Sequence, residues 1–140
     1  MDKIENIKNP DFLKELNNDE LATLGADIRE FILENVSNTG GHLSSNLGIT
    51  DLTIAMLKVF DASVDKIIFD VGHQTYPYKI LTGRAKDFKN LRKYNGLEGF
   101  QKKSESKYDV YEAGHSSTSL SAGLGFALAR DLDKKNYNVV

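Results

Sequence analysis

Every histidine in this chain follows a glycine: Gly41-His42, Gly72-His73 and Gly114-His115. Glycine frees the backbone to turn sharply or to approach a neighbour closely. Each pair therefore marks a place where a regular element stops and a loop begins. A histidine at such a place titrates near neutral pH and can give or take a proton. The flanks are polar: Gly40-Gly41-His42-Leu43-Ser44-Ser45-Asn46-Leu47-Gly48, Asp70-Val71-Gly72-His73-Gln74, and Gly114-His115-Ser116-Ser117-Thr118-Ser119. A single Gly-His pair is most simply a turn carrying a surface or hydrogen-bonded histidine. Three, each among small residues, hydroxyls or amides, predict one polar site assembled from three loops, suited to holding an anion and moving protons.

Hydrophobic periodicity fills the intervals. Met1 to about Asn18 reads as polar and extended, with a turn near Pro10-Asp11. Asn18 or Asp19 is placed to cap a helix running to about Ser37, with Leu21, Leu24, Ile28, Phe31 and Ile32 on one face. Asn38-Thr39-Gly40-Gly41 ends it. A second helix follows the first Gly-His pair, with Leu52, Ala55, Met56 and Val59 as its expected buried stripe, and stops near Phe60-Asp61. Lys66-Ile67-Ile68-Phe69-Asp70 reads as a short strand buried on both faces, as in parallel sheets. That puts Gly72-His73-Gln74 just past a strand's carboxyl end, where open α/β sheets bind ligands. A helix from about Tyr76 to Leu81 tolerates Pro77 in its first turn. From Arg84 to Lys107 the chain is polar and rich in lysine. It reads either as a solvated surface or as a mobile cover bringing positive charge to an anionic substrate. A last helix, about Ser117 to Asp131, carries Gly123 and Gly125, each costing roughly 1 kcal/mol against alanine, which predicts a close backbone contact there. Tyr137-Asn138-Val139-Val140 reads as the start of a second strand. The expected fold class is α/β, a parallel sheet flanked by helices. Domains seldom end inside an apolar strand, so the fold is expected to be incomplete at the C-terminus.

Composition narrows the chemistry. With 140 residues the chain has the size of one ordinary domain. A formal net charge of −2 gives no basic footprint for nucleic acid and no acidic tail. The absence of cysteine excludes disulfides, thiolate metal sites and a cysteine nucleophile within this sequence. The N-terminal run Met1-Asp2-Lys3-Ile4-Glu5 has neither a signal-peptide core nor a transit-peptide composition, and no apolar run is long enough to span a membrane. A cytoplasmic protein without membrane or nucleic-acid partners is expected.

Five runs, in order and spacing, carry a family resemblance: Gly40 to Gly48, Asp70 to Pro77, Lys79 to Arg84, Ser104 to Asp109, and Gly114 to Ser119. Together they resemble the N-terminal part of the 1-deoxy-D-xylulose-5-phosphate synthase family, thiamine-diphosphate enzymes of the transketolase superfamily. The resemblance covers roughly residues 10 to 140 and implies that residues 1–140 are a partial N-terminal, diphosphate-side domain, the later domains being absent. It implies condensation of pyruvate with glyceraldehyde 3-phosphate and loss of carbon dioxide, feeding isoprenoid, thiamine and pyridoxal synthesis. It implies thiamine diphosphate as cofactor, magnesium as its metal, and a homodimer as the full-length assembly. Carried over by motif, His42 corresponds to the catalytic histidine acting on reacting oxygens, and His73 to a histidine contacting the cofactor. Gly114, His115 and Ser116 correspond to a segment lining the cofactor site, at a helix start where a diphosphate is favoured. The family's Gly-Asp-Gly magnesium motif and its activating glutamate would fall beyond Val140, so no metal ligand is assigned here, and this stretch alone is expected to be inactive. Two other readings stay open: a non-catalytic binding module, and one subunit of a split thiamine-diphosphate enzyme.

Overall fold

Helix α2, Asn18–Thr39, is the longest element among the described residues. It begins at a capping box. The Asn17 side chain accepts from the Asp19 and Glu20 amides at 3.0 Å, and Glu20 accepts the Asn17 amide at 2.8 Å. The cap thus lies one residue before the expected Asn18. Gly25, Ile28, Phe31, Ile32 and Val36 form its buried face, so the helical stripe read from sequence holds at its centre, while Leu21 and Leu24 are only half-buried.

The computed structural model describes residues 2–140. Its other elements are α1 (Asp2–Glu5), a 3₁₀ helix (Pro10–Glu15), α3 (Ser44–Val59), α4 (Tyr76–Lys79), a 3₁₀ helix (Ala85–Asn90) and α5 (Ser119–Leu132). The N-terminal segment is therefore helical rather than extended. Leu13 seals it against the core with no exposed surface, and Lys58 of α3 donates to the Leu13 and Leu16 carbonyls at 2.9 and 2.7 Å. That ammonium satisfies carbonyls that the end of a short helix leaves open.

The expected α/β class is overturned. Among the described residues there is no strand and no sheet; the fold is helical. Lys66 to Asp70 and Tyr137 to Val140 do lie side by side and run parallel, but they form a single isolated bridge, Lys66–Val139. Three backbone hydrogen bonds join them: Lys66 N–H to Asn138, Ile68 N–H to Val140, and Val140 N–H to Lys66, at 2.8 to 2.9 Å. The buried Asp65 carboxylate fastens this crossing by accepting the Asn138 backbone and side-chain N–H groups at 2.7 and 3.0 Å. Two short parallel segments cannot sustain a sheet, which needs further strands and cover on both faces. The Ile67 and Phe69 side chains are buried on one side, but α5 on the other buries none of its own residues.

The α3 stripe is also corrected. Its buried residues are Asn46, Thr50, Thr53, Ile54 and Leu57; of the expected stripe only Met56 packs against the core, half-buried, whereas Leu52 and Val59 are 57% and 73% exposed and Ala55 is exposed. Helical spacing was right but the phase was rotated, because polar residues with satisfied hydrogen bonds took the inward face. Thr50 and Thr53, for instance, donate to the Asn46 and Ile49 carbonyls at 2.8 and 3.0 Å. No close backbone contact forms at Gly125, and Gly123 meets only the Val139 side chain at van der Waals distance.

Helix α4 continues through a wider turn at Ile80–Arg84 and breaks at Gly83, whose φ of 94° is natural only for glycine. A side chain there would strike the Lys8 backbone carbonyl. The break aims Arg84 into the core. Arg84 forms a two-toothed pair with Asp109 at 2.6 and 2.9 Å, and a 3.2 Å contact with Glu105, which also holds Lys79 at 2.5 Å. Asp109 and Lys79 have no exposed side-chain surface. Burial pulls the Lys79 ammonium pKa down, against the opposing pull of Glu105. The carboxylates in turn accept the Lys102 and Glu98 amides at 2.9 and 2.7 Å. The lysine-rich stretch is thus neither a purely solvated surface nor a free cover: its lysines face solvent while its backbone is anchored to α4 by buried charges.

Candidate functional site

The first two Gly-His loops converge. The His42 and His73 rings lie edge-on with centroids 5.4 Å apart. Phe100 and Tyr76 frame His42 at 5.5 and 6.3 Å. Gly41 makes this approach possible. Its φ is 145°, and a β-carbon there would sit 2.7 Å from the Tyr76 hydroxyl, to which the His42 N–H donates at 3.2 Å. Phe100 belongs to the stretch fixed by the Arg84–Asp109 pair, so the buried charge network positions one wall of the site.

Both histidines present a buried Nδ1 without a protein partner. Gln74 Oε1 and Gln101 Nε2 are likewise buried and unpartnered. Buried polar atoms normally find partners, so this grouping fits a polar ligand. Burial lowers the His42 pKa, with the neighbouring His73 and Arg92 adding to the effect. His42 is therefore a neutral imidazole near neutral pH, able to accept a proton.

The third unit is placed differently. Gly114, His115 and Ser116 are exposed. Their segment is tied to the second loop by Asp70, whose carboxylate accepts the Ser117 and Ser119 amides at 3.1 and 3.4 Å. These hydrogen bonds lower the Asp70 pKa. The anion position at the start of α5 is thus filled from within the chain, which leaves Gly114 to Ser116 as the part of this segment open to a ligand. Among the described residues, no group of three or more His, Cys, Asp or Glu side chains converges as a metal site, and no helix is long and apolar enough to cross a membrane.

Asn46 and Asp70 stand in the polar flanks read from sequence, but with no role given to either, and Tyr76 and Phe100 were not read as parts of this site. No local signal marked them: Asn46, Thr50 and Thr53 recur at helical spacing, but a polar stripe reads first as a solvent-facing one.

A pair of loop histidines with buried, unpartnered Nδ1 atoms is a candidate site for a polar ligand. The family model described as 1-deoxy-D-xylulose-5-phosphate synthase matches residues 4–140. The 1-deoxy-D-xylulose-5-phosphate synthase of Geobacillus sp. (strain WCH70) is 60% identical over 137 residues, 98% of this chain and 22% of its own length. That of Macrococcus caseolyticus is 58% identical over 137 residues, again 98% and 22%. That of Clostridium beijerinckii is 54% identical over 140 residues, 100% of this chain and 23% of its own. The chain belongs to the 1-deoxy-D-xylulose-5-phosphate synthase family, and it spans less than a quarter of the length of these relatives.

Proposed function

We propose that this chain supplies the paired-histidine wall of the thiamine-diphosphate site in a 1-deoxy-D-xylulose-5-phosphate synthase, which condenses pyruvate with glyceraldehyde 3-phosphate and releases carbon dioxide. The observation that supports this most directly is the juxtaposition of His42 and His73 with their buried, unpartnered Nδ1 atoms, within a chain matched to the family over nearly its whole length. Thiamine diphosphate, when bound, supplies the nucleophilic carbon and the electron sink for decarboxylation. The chain's own residues handle protons and placement. His42, whose neutral form is favoured by burial and by the neighbouring His73 and Arg92, exchanges a proton with oxygen atoms of the reactants. His73, held beside it, contacts the cofactor. Gly114, His115 and Ser116 offer an exposed polar edge to its diphosphate side. Phe100 and Tyr76 exclude water from the face of His42. Magnesium, a homodimeric assembly and a cytoplasmic location belong to the same proposal and rest on the resemblance to the family.

The test is kinetic, on a protein carrying these residues within the full length of its relatives. His42→Ala should lower turnover by about a hundredfold to ten-thousandfold while changing cofactor affinity little, the loss typical of a positioned acid or base. His73→Ala should chiefly weaken thiamine-diphosphate binding. Equal loss of cofactor affinity in the two variants, or normal turnover in the first, would refute the assignment.

A further inference from the structure

One buried side chain joins the two histidine loops. Asn46 lies in the first turn of α3 and has no exposed surface. Its Nδ2 donates to the His42 carbonyl at 2.6 Å and to the His73 carbonyl at 2.9 Å. Its Oδ1 accepts the Tyr76 N–H, at the start of α4, at 2.8 Å. The primary amide has two N–H donors and one oxygen, and every one of these is engaged. Each bond goes to backbone, so none depends on the identity of the residue it holds. No apolar side chain could replace this set, and a carboxylate would set an oxygen against two carbonyl oxygens. Tyr76 closes the circuit, because its hydroxyl receives the His42 N–H.

We infer that Asn46 is a positioning residue: its carboxamide fixes the separation and mutual orientation of the His42 and His73 rings, making two loops distant in sequence into one unit. The inference rests on the proposed function only for its catalytic meaning; the staple itself is a property of the chain. The groups that face His42 are His73 on the second loop, Tyr76 on α4, and Arg92 and Phe100 on the anchored stretch. Of these, His73 and Tyr76 are bonded to Asn46, and His73 is the one of the two that lowers the His42 pKa.

The experiment is a titration of the 140-residue chain followed by the NMR signal of the His42 ring. His73→Gln removes the electrostatic influence of His73 that lowers the His42 pKa, so in the wild-type background it should raise the His42 midpoint. The same substitution should move His42 less than half as far when Asn46 is already Ala or Asp. Comparing responses within each background cancels the charge that Asn46→Asp itself introduces. An undiminished response in both backgrounds would overturn the inference. A second measurement needs no variant: the Asn46 side-chain amide protons should exchange slowly with water, and exchange at the rate of a solvent-exposed amide would overturn it equally. Thiamine-diphosphate affinity, measured separately, reports on the cofactor reading. Failure of cofactor binding leaves the titration result standing, and loss of the staple leaves the cofactor measurement to be judged alone.

Discussion

Removing Asp109 should unhook the stretch that walls the histidine site, and the cost can be worked from its surroundings. Its carboxylate has no exposed surface, holds Arg84 through two bonds of 2.6 and 2.9 Å, and accepts the Lys102 amide at 2.9 Å. Asp109→Ala deletes all three interactions and leaves a guanidinium with 7% exposure facing a void, with one 3.2 Å contact to Glu105 and one 2.9 Å contact to Thr82. Breaking a buried ion pair by removing one partner costs about 3–5 kcal/mol. Against a total stability of about 5–15 kcal/mol, that is a large fraction. For a chain of this size it corresponds to a fall in Tm of about 10–20 °C. Urea unfolding followed by circular dichroism, with the slope compared between variants, measures the loss directly. The double variant Arg84→Met, Asp109→Leu should recover at least half of it, because replacing both charges by apolar groups removes the desolvation penalty along with the attraction. A loss below about 1 kcal/mol for Asp109→Ala, or a double variant no more stable than the single, would refute the view that this pair clamps the stretch.

Two further outcomes follow from the site. Gly41→Ala places a β-carbon against the Tyr76 hydroxyl at a φ of 145°; it should cost more than about 1 kcal/mol in the same urea assay and displace the His42 NMR signals. The depressed pKa of His42 sets a pH dependence whose sign is fixed. The folded state binds this proton less readily than the unfolded state does, so the penalty is absent above the ordinary value of 6.5 and grows as pH falls through it. The wild type should therefore lose stability between about pH 7 and 5 by an amount that His42→Gln abolishes, and parallel stability curves for the two proteins in that interval would contradict it.

The sequence by itself determined where elements stop and which residues have chemistry to offer. Glycine conformations and capping asparagines are local, so Gly40 ends α2 within the expected Asn38-to-Gly41 run, and Asn17 starts it one residue before the expected Asn18 or Asp19. The buried centre of α2 was legible because Ile28, Phe31 and Ile32 are apolar with no competing polar pattern. What the tertiary structure decided is which polar groups go inside. Asn46 on α3, Lys79 at the end of α4 and Arg84 just beyond it are buried because the His73 carbonyl and the Glu105 and Asp109 carboxylates satisfy them, and no local pattern announces a partner far away in the chain. For the same reason the stripe of α3 was placed on the wrong face. The sheet failed for a related cause: a parallel sheet needs several strands and cover on both faces. Lys66 to Asp70 meets a single short partner, so an apolar run that reads as a strand remains one bridge. The pairing of His42 with His73 belongs to the same category, since each loop is written locally but their meeting depends on a side chain from α3 bonded to both.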